Sequence, residues 1–214
     1  MLVRERMTKT PVTITPDTSV PDALRLMREK KIRRLPVLDS RGKLVGIVAD
    51  QDLLYASPSP VTSLSVWEMN YLFAKLKVES VMTRKVITVT EDTPLEEAAR
   101  IMADNKIGGL PVMRDGQLVG IVTETDLFKV FLELLGARQP GVRVTALIPS
   151  AKGTLAKITN AIFGAGGDII AFTTSRDSSG TRWEITLKVQ DVGRDKLVEA
   201  IRPVVENILD AREI

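Results

Sequence analysis

The sequence predicts an α/β (α+β) chain in which two β-α-β-β-α repeats are followed by a separate βαββαβ unit. Residues 35–53, LPVLDSRGKLVGIVADQDL, return with one gap as residues 110–127, LPVMRDGQLVGIVTETDL. The likeness continues upstream at an offset of 75, where Met7-Thr8 matches Met82-Thr83, Asp17-Thr18 matches Asp92-Thr93, and Met27 matches Met102. A repeat this long is one supersecondary unit used twice, each copy covering the other's apolar face. Beyond Gln139-Pro140-Gly141 the pattern changes to the period-2 alternation of half-buried strands. The expected organisation is residues 1–56 as the first repeat, 57–77 as linker and helix, 78–136 as the second repeat, and 142–214 as the C-terminal unit.

Within the first repeat, Val12-Thr13-Ile14 opens a short strand closed by Thr15-Pro16-Asp17. Thr18 or Ser19 supplies an N-cap, with Asp22 placed for a capping box from Ser19. The helix carries Ala23, Leu24, Met27 and Ile32 at helical spacing. Leu35–Leu38 and Leu44–Val48 form a hairpin around the turn residues Asp39-Ser40-Arg41-Gly42, and a helix opens at Asp50 or Asp52. SPSPVTS (57–63) reads as a linker, and 64–76 as a helix with Trp67, Tyr71 and Phe73 among its apolar residues. That helix packs on the repeats, or serves as a dimer contact or lid. In the second repeat, Thr93-Pro94-Leu95-Glu96 reads as N-cap, proline at the first helical position and an acidic third residue. The helix after Leu127 ends at Gly136.

In the C-terminal unit, Val144, Ala146 and Ile148 alternate with polar neighbours, and Pro149–Gly153 is a loop. TLAKITNAIFGAGG is a helix stopped by glycines 164, 166 and 167. A strand over 169–175 and a turn at 177–180 follow. Next comes the clearest period-2 run, Trp183, Ile185, Leu187 and Val189 alternating with Arg182, Glu184, Thr186 and Lys188. A helix over 196–205, ended or kinked by Pro203, and a last strand over 207–214 complete a ferredoxin-like order of four antiparallel strands with two helices on one face.

Composition narrows the chemistry. The 214 residues include neither cysteine nor histidine, which removes disulfides, thiolate nucleophiles and the usual metal ligand and general base. No metal site and no catalytic motif is expected. No apolar run reaches membrane-spanning length and MLVRERMTKT lacks an apolar signal core, so the expected location is cytoplasmic, with no membrane partner. The net charge is +3, with one basic cluster, Arg28, Lys30, Lys31, Arg33 and Arg34. It reads as a solvated face or as a contact for an anionic small molecule. Nucleic acid is not expected, because aromatics are 4% and none interleave with the cluster.

The Val81-Met82-Thr83 lead-in (Met7-Thr8 in the first copy), with the Leu-Pro-Val strand and Leu-Val-Gly-Ile-Val-x-x-x-Asp-Leu both found twice, makes residues 1–135 resemble a tandem of cystathionine-β-synthase (CBS) domains, a Bateman module. By element order and the Gly153–Ile158 run, residues 142–214 look like an ACT domain, a small regulatory module that often binds amino acids. The layout resembles bacterial CBS–ACT proteins of the acetoin-utilisation type. The resemblance implies a non-catalytic regulatory protein that binds an adenine nucleotide such as AMP or ATP as a ligand and needs no cofactor. It also implies a homodimer or higher homo-oligomer. A scaffold for oligomerisation and partner docking is the alternative.

In the CBS family a glycine-hydrophobic-x-Thr/Ser-x-x-Asp element holds the nucleotide. An ionised Asp at a helix start can accept hydrogen bonds from both ribose hydroxyls, and a Thr hydroxyl and helix amides suit a phosphate. The second repeat has the whole element, from Gly120 through Thr123 to Asp126, and the resemblance adds Thr83, Thr88, Gly109, Leu110 and Pro111 to that site. Arg33 and Arg34 are assigned there as phosphate contacts, whereas Gly108-Gly109 stand at the matching positions of the other copy. A weaker second site takes Thr8, Thr13, Pro36, Gly46 and Asp52. Ala49 replaces its hydroxyl and Asp50 is expected to repel phosphate. Plain N-capping is the bland role for both aspartates. In the C-terminal unit, Ser150, Lys152, Gly153 and Asp168 are the candidate contacts for an amino acid, although the loop lacks the acidic residue that would greet an amino group.

Overall fold

The computed structural model describes residues 1–56, 71, 73–177 and 179–214. The proposed linker 57–63 and most of the helix proposed for 64–76, Trp67 included, lie outside them. The described residues form two compact units, Met1–Leu127 and Phe128–Ile214.

In the first unit the chain runs α1 (Val3–Arg6), β1 (Thr8–Lys9), α2 (Val20–Lys30), β2 (Arg34–Leu38), β3 (Leu44–Ala49) and α3 (Asp50–Tyr55). After a 3₁₀ turn at Val78–Ser80 come β4 (Val89–Thr90), α4 (Leu95–Asn105), β5 (Gly109–Arg114), β6 (Gln117–Thr123) and α5 (Glu124–Leu134), whose last turns belong to the second unit. Ser19 caps α2 as expected, its Oγ accepting the Asp22 N–H at 3.2 Å. The matching cap of α4 differs from expectation. Pro94 occupies the N-cap position, and the Thr93 hydroxyl accepts the Thr90 N–H instead, closing the preceding turn.

The two repeats exchange their lead-in segments. β1 pairs antiparallel with β6, aligning Thr8 with Ile121 and Lys9 with Gly120. Reciprocally, Thr83 pairs with Ile47 on β3, each N–H bonding the other's carbonyl at 2.9–3.0 Å. Further out, Val3 N–H donates to the Thr93 carbonyl and Val78 N–H to the Thr18 carbonyl, both at 2.9 Å. Val3 and Val78 are wholly buried, each side chain contributing about 1.5–3 kcal/mol of apolar burial. Phe73 and Leu76 pack against the core of the first repeat, formed around Leu24, Met27, Leu35, Val37, Val48 and Leu53, whereas Tyr71 is exposed.

The second unit takes up β7 (Val142–Ile148), α6 (Thr154–Gly164), β8 (Asp168–Arg176), β9 (Trp183–Gln190), α7 (Arg194–Ile201) and β10 (Asn207–Glu213). Its strand order is β10-β7-β9-β8, antiparallel throughout, with Ile158, Ile162, Leu197 and Ile201 of the helices on Val144, Ala146, Ile185, Leu187 and Val189. This is the expected βαββαβ arrangement. Pro203 falls in a 3₁₀ turn at Arg202–Val204 that ends α7 earlier than the sequence suggested.

Lys188 departs from its polar alternation partners, being only 3% exposed. The C-terminal turn of α5 lies over it. Gly136 adopts φ +57°, Ala137 N–H bonds the Leu132 carbonyl, and the Gly136 carbonyl accepts the Lys188 ammonium at 3.0 Å. A buried ammonium needs such a partner.

Candidate functional site

Each hairpin delivers its last strand directly into a helix, and an aspartate three residues on folds back over the junction. At β3–α3 the Asp52 carboxylate accepts the Ala49 N–H at 2.8 Å. At β6–α5 the same oxygen of Asp126 accepts both the Thr123 N–H at 3.0 Å and the Thr123 hydroxyl at 2.8 Å. Asp126 is accordingly the more buried, at 9% exposure. Thr123 thus orients the aspartate. Its proton is committed there, so it can donate to a ligand phosphate only by breaking that bond.

The exchange of lead-in segments decides which residues meet. A cleft of about 280 Å³ is lined by Ile47, Ala49 and Asp52 from the first repeat and by Thr83, Val86, Ile87, Gly108 and Gly109 from the second, with Arg34, Lys85 and Lys106 supplying positive charge. Thr83 and Gly109, assigned to the Asp126 site from sequence, therefore stand in the Asp52 cleft. Thr8 makes the opposite move, onto the strand leading to Asp126. Thr13 and Thr88 sit just before the short segments that pair with β2 and β5, at Ile14 and Val89. Pro36, Leu110 and Pro111 are buried in their strands.

Gly46 and Gly120 have a packing role. A Cβ on either would stand 2.5 Å from a methionine sulfur, Met82 over Gly46 and Met7 over Gly120. Arg33 is exposed, while Arg34 lines the Asp52 cleft. A methyl group on Gly108 would overlap the Arg34 guanidinium and lie 2.6 Å from the Glu124 carboxylate, so the glycine makes room for both. Asp50, expected to repel phosphate, is not among the cleft's lining residues, and its carboxylate accepts the Gln51 N–H at 2.9 Å. Lys85 and Lys106 were missed from sequence. The signal of Lys85 was indirect, because only the strand exchange brings the second repeat's lead-in to the first repeat's aspartate; Lys106 instead follows the end of α4.

A model of the CBS domain matches residues 3–59 and again 78–133. The chain belongs to the CBS domain family. One similar structure is a CBS domain pair in complex with 5′-methylthioadenosine and S-adenosyl-L-methionine, 33% identical, covering 65% of this chain and 98% of that one at a TM-score of 0.52. Another is CBSX2 in complex with AMP, 37% identical, covering 61% of this chain and 96% of that one at 0.51; the curated CBSX2 relative is from Arabidopsis thaliana. A third, from Vibrio cholerae and named for acetoin utilization, is 33% identical, covering 65% and 96% of the two chains at 0.54. CBS pairs similar to this one therefore bind adenine nucleotides or adenosyl compounds.

In the second unit a separate cavity of about 340 Å³ lies under the loop before α6, lined by Ile148, Pro149, Ser150, Lys152, Leu155, Thr174 and Trp183 among others. Gly153, at φ +84°, is the N-cap of α6. The structure separates Asp168 from this group. It starts β8, paired with Gln190, whereas Thr174 and Trp183 belong to that hairpin's other end, roughly 20 Å along the strand. Arg176 stacks over the Trp183 ring at 4.1 Å. Among the described residues no helix is long and apolar enough to cross a membrane.

Proposed function

We propose that this protein is a non-catalytic regulatory module of the cytoplasm that senses an adenine nucleotide through clefts between its CBS repeats. The observation that carries the reading is the Asp52 cleft. A helix-start carboxylate suits ribose hydroxyls, apolar walls of Ile47, Val86 and Ile87 suit a purine, and the Gly108-Gly109 backbone allows close approach. The Asp126 element repeats the carboxylate with a better-braced geometry. The C-terminal unit serves as an ACT-like module for dimerisation or for a second small ligand near Ser150 and Lys152. Isothermal calorimetry with adenosine, AMP and ATP tests the nucleotide reading. A nucleotide at about 100 times its dissociation constant should stabilise the fold by about 2.7 kcal/mol.

A second reading, an assembly scaffold, rests on Phe128, Phe131 and Leu134 of α5 and Phe163 of α6, all more than half exposed. Light scattering separates a homodimer or larger species from a 23.5 kDa monomer. Absence of any nucleotide binding would leave the scaffold reading standing.

A further inference from the structure

We propose that the outer face of α2 is a docking groove for a partner protein, filled by a segment that carries acidic side chains around one apolar anchor. Nucleotide binding plays no part in it, so failure of the nucleotide reading leaves it standing. The floor is apolar. Pro21 and Leu24 of α2 and Phe73 line a cleft of about 390 Å³, with Arg25, Arg28 and Glu29 as its remaining walls. The groove arises because the residues before the second lead-in run beside the start of α2. There Val20 N–H bonds the Leu76 carbonyl at 2.9 Å, and Ser19 pairs with Lys77. Cations edge the cleft. Arg28 is exposed, and so is Lys75, two residues along from Phe73, whose ammonium lies 4.2 Å from the centre of the exposed Tyr71 ring. Neither has an ion-pair partner within 4 Å among the described residues. The acidic groups at the rim, Asp22 and Glu29, are already engaged by Arg25 at 2.7 and 3.9 Å.

The second repeat shows that the fold itself does not require these residues. α4 ends as α2 does, with Lys106 matching Lys31 at the same φ of +53° and the same pair of capping bonds. A cation in the last turn suits the helix dipole, yet Ala103 stands where α2 has Arg28. Glu96 and Ala99 replace Pro21 and Leu24, so neither the apolar floor nor the free cation recurs. The counterpart of Arg25, Arg100, is held by Glu97 and Asp104. The shape then selects the class of partner. A concave floor takes a protruding side chain, which a bilayer surface does not offer. A nucleic-acid backbone would lay its continuous charge on Asp22 and Glu29 as well as on Arg28. An amphipathic peptide places separate carboxylates beside Arg28 and Lys75 and one apolar side chain in the cleft.

The test uses the full chain and fluorescein-labelled peptides in which Asp and Glu flank a single Leu, Phe or Trp, read by fluorescence anisotropy. At least one of them should bind, and added salt should weaken it. Replacing its anchor by Ser should weaken it about tenfold or more. Arg28→Glu should also weaken it about tenfold, whereas Ala103→Glu, the matching change in the second repeat, should leave it unchanged. Arg28→Ala, which copies the second repeat and keeps the fold, should give a smaller loss in the same direction. Absence of peptide binding to the unmodified chain, binding that ignores the anchor, or equal losses in the Arg28→Glu and Ala103→Glu variants overturns the proposal. Equally tight capture of a DNA duplex or of phosphatidylglycerol vesicles, lost in Arg28→Glu, overturns it as well. So does a change of mass in light scattering on Arg28→Glu, which would put a second copy of the chain in the groove.

Discussion

The strand–helix junctions at Asp52 and Asp126 are copies of one design, with a different part of it kept intact in each. At Asp126 the Thr123 hydroxyl and amide both hold the carboxylate, so its orientation is fixed by the chain itself. At Asp52 the amide of Ala49 holds it alone, but Arg34, Lys85 and Lys106 stand around the opening. Two copies of a junction within one chain can thus carry different residues around the same carboxylate. A braced carboxylate gains most for the neutral part of a nucleotide, whereas loose cations gain most for its phosphates.

Paired substitutions in the two copies put this contrast to the test. The largest effect concerns what the copies share. Met7→Ala and Met82→Ala each remove a buried side chain that seals the partner repeat over Gly120 or Gly46. Urea denaturation should show similar losses of about 2–5 kcal/mol for the two variants. A large inequality would mean that the exchanged segments are not equivalent. Next, Asp126→Ala should cost adenosine binding about 1.5–3 kcal/mol, and Asp52→Ala less, because Asp126 is the better-fixed acceptor. Calorimetry with the order reversed would refute the bracing argument.

A smaller exchange tests the hydroxyl itself. Thr123→Ala should weaken adenosine binding by about 0.5–1.5 kcal/mol, and Ala49→Thr should strengthen the Asp52 cleft by a similar amount or less. Calorimetry on the two variants reads both changes. The smallest effect is acid sensitivity. Glu91 in the second repeat is held below the usual carboxylate range, first by its hydrogen bonds from Arg114 and then by the charges of Arg114, Arg4 and Lys9; the first repeat has Pro16 at the matching position. A depressed carboxylate pKa stabilises the fold above the unfolded value of about 4.3, and the benefit is lost as pH falls below it. Glu91→Gln should therefore flatten the fall in melting temperature between about pH 5 and about pH 3.

Much of this architecture was legible because local chemistry and burial agreed. Ser19 and Asp22 announced the start of α2, Gly136 the end of α5, and Trp183 to Val189 a strand with one apolar face. The strand exchange was not legible. The two lead-ins are so alike that either would satisfy either sheet, and pairing across the repeats depends on chain geometry that composition does not carry. That one ambiguity hid that Thr83 and Lys85 stand in the Asp52 cleft, and that Gly109 lines it while also pairing with Thr123. Gly46 and Gly120 were read as ligand residues because the motif contains them, yet a methionine sulfur occupies the space each leaves. Lys188 looked solvent-facing since alternation reports only which side of a strand a residue takes. It does not report that a helix end will lie across that side.

The reciprocal pairing of Thr8 with Ile121 and of Thr83 with Ile47 has a consequence for how such a chain could arise. One copy of the repeat, made alone, would expose the edge of its hairpin and a lead-in with nothing to cover. Two identical copies would satisfy both needs at once by trading segments about a two-fold axis. The first unit thus has the layout of a pseudo-symmetric dimer with its two halves joined in one chain. Covalent fusion removes the concentration dependence of that pairing, and it lets the two halves diverge, which identical subunits cannot do.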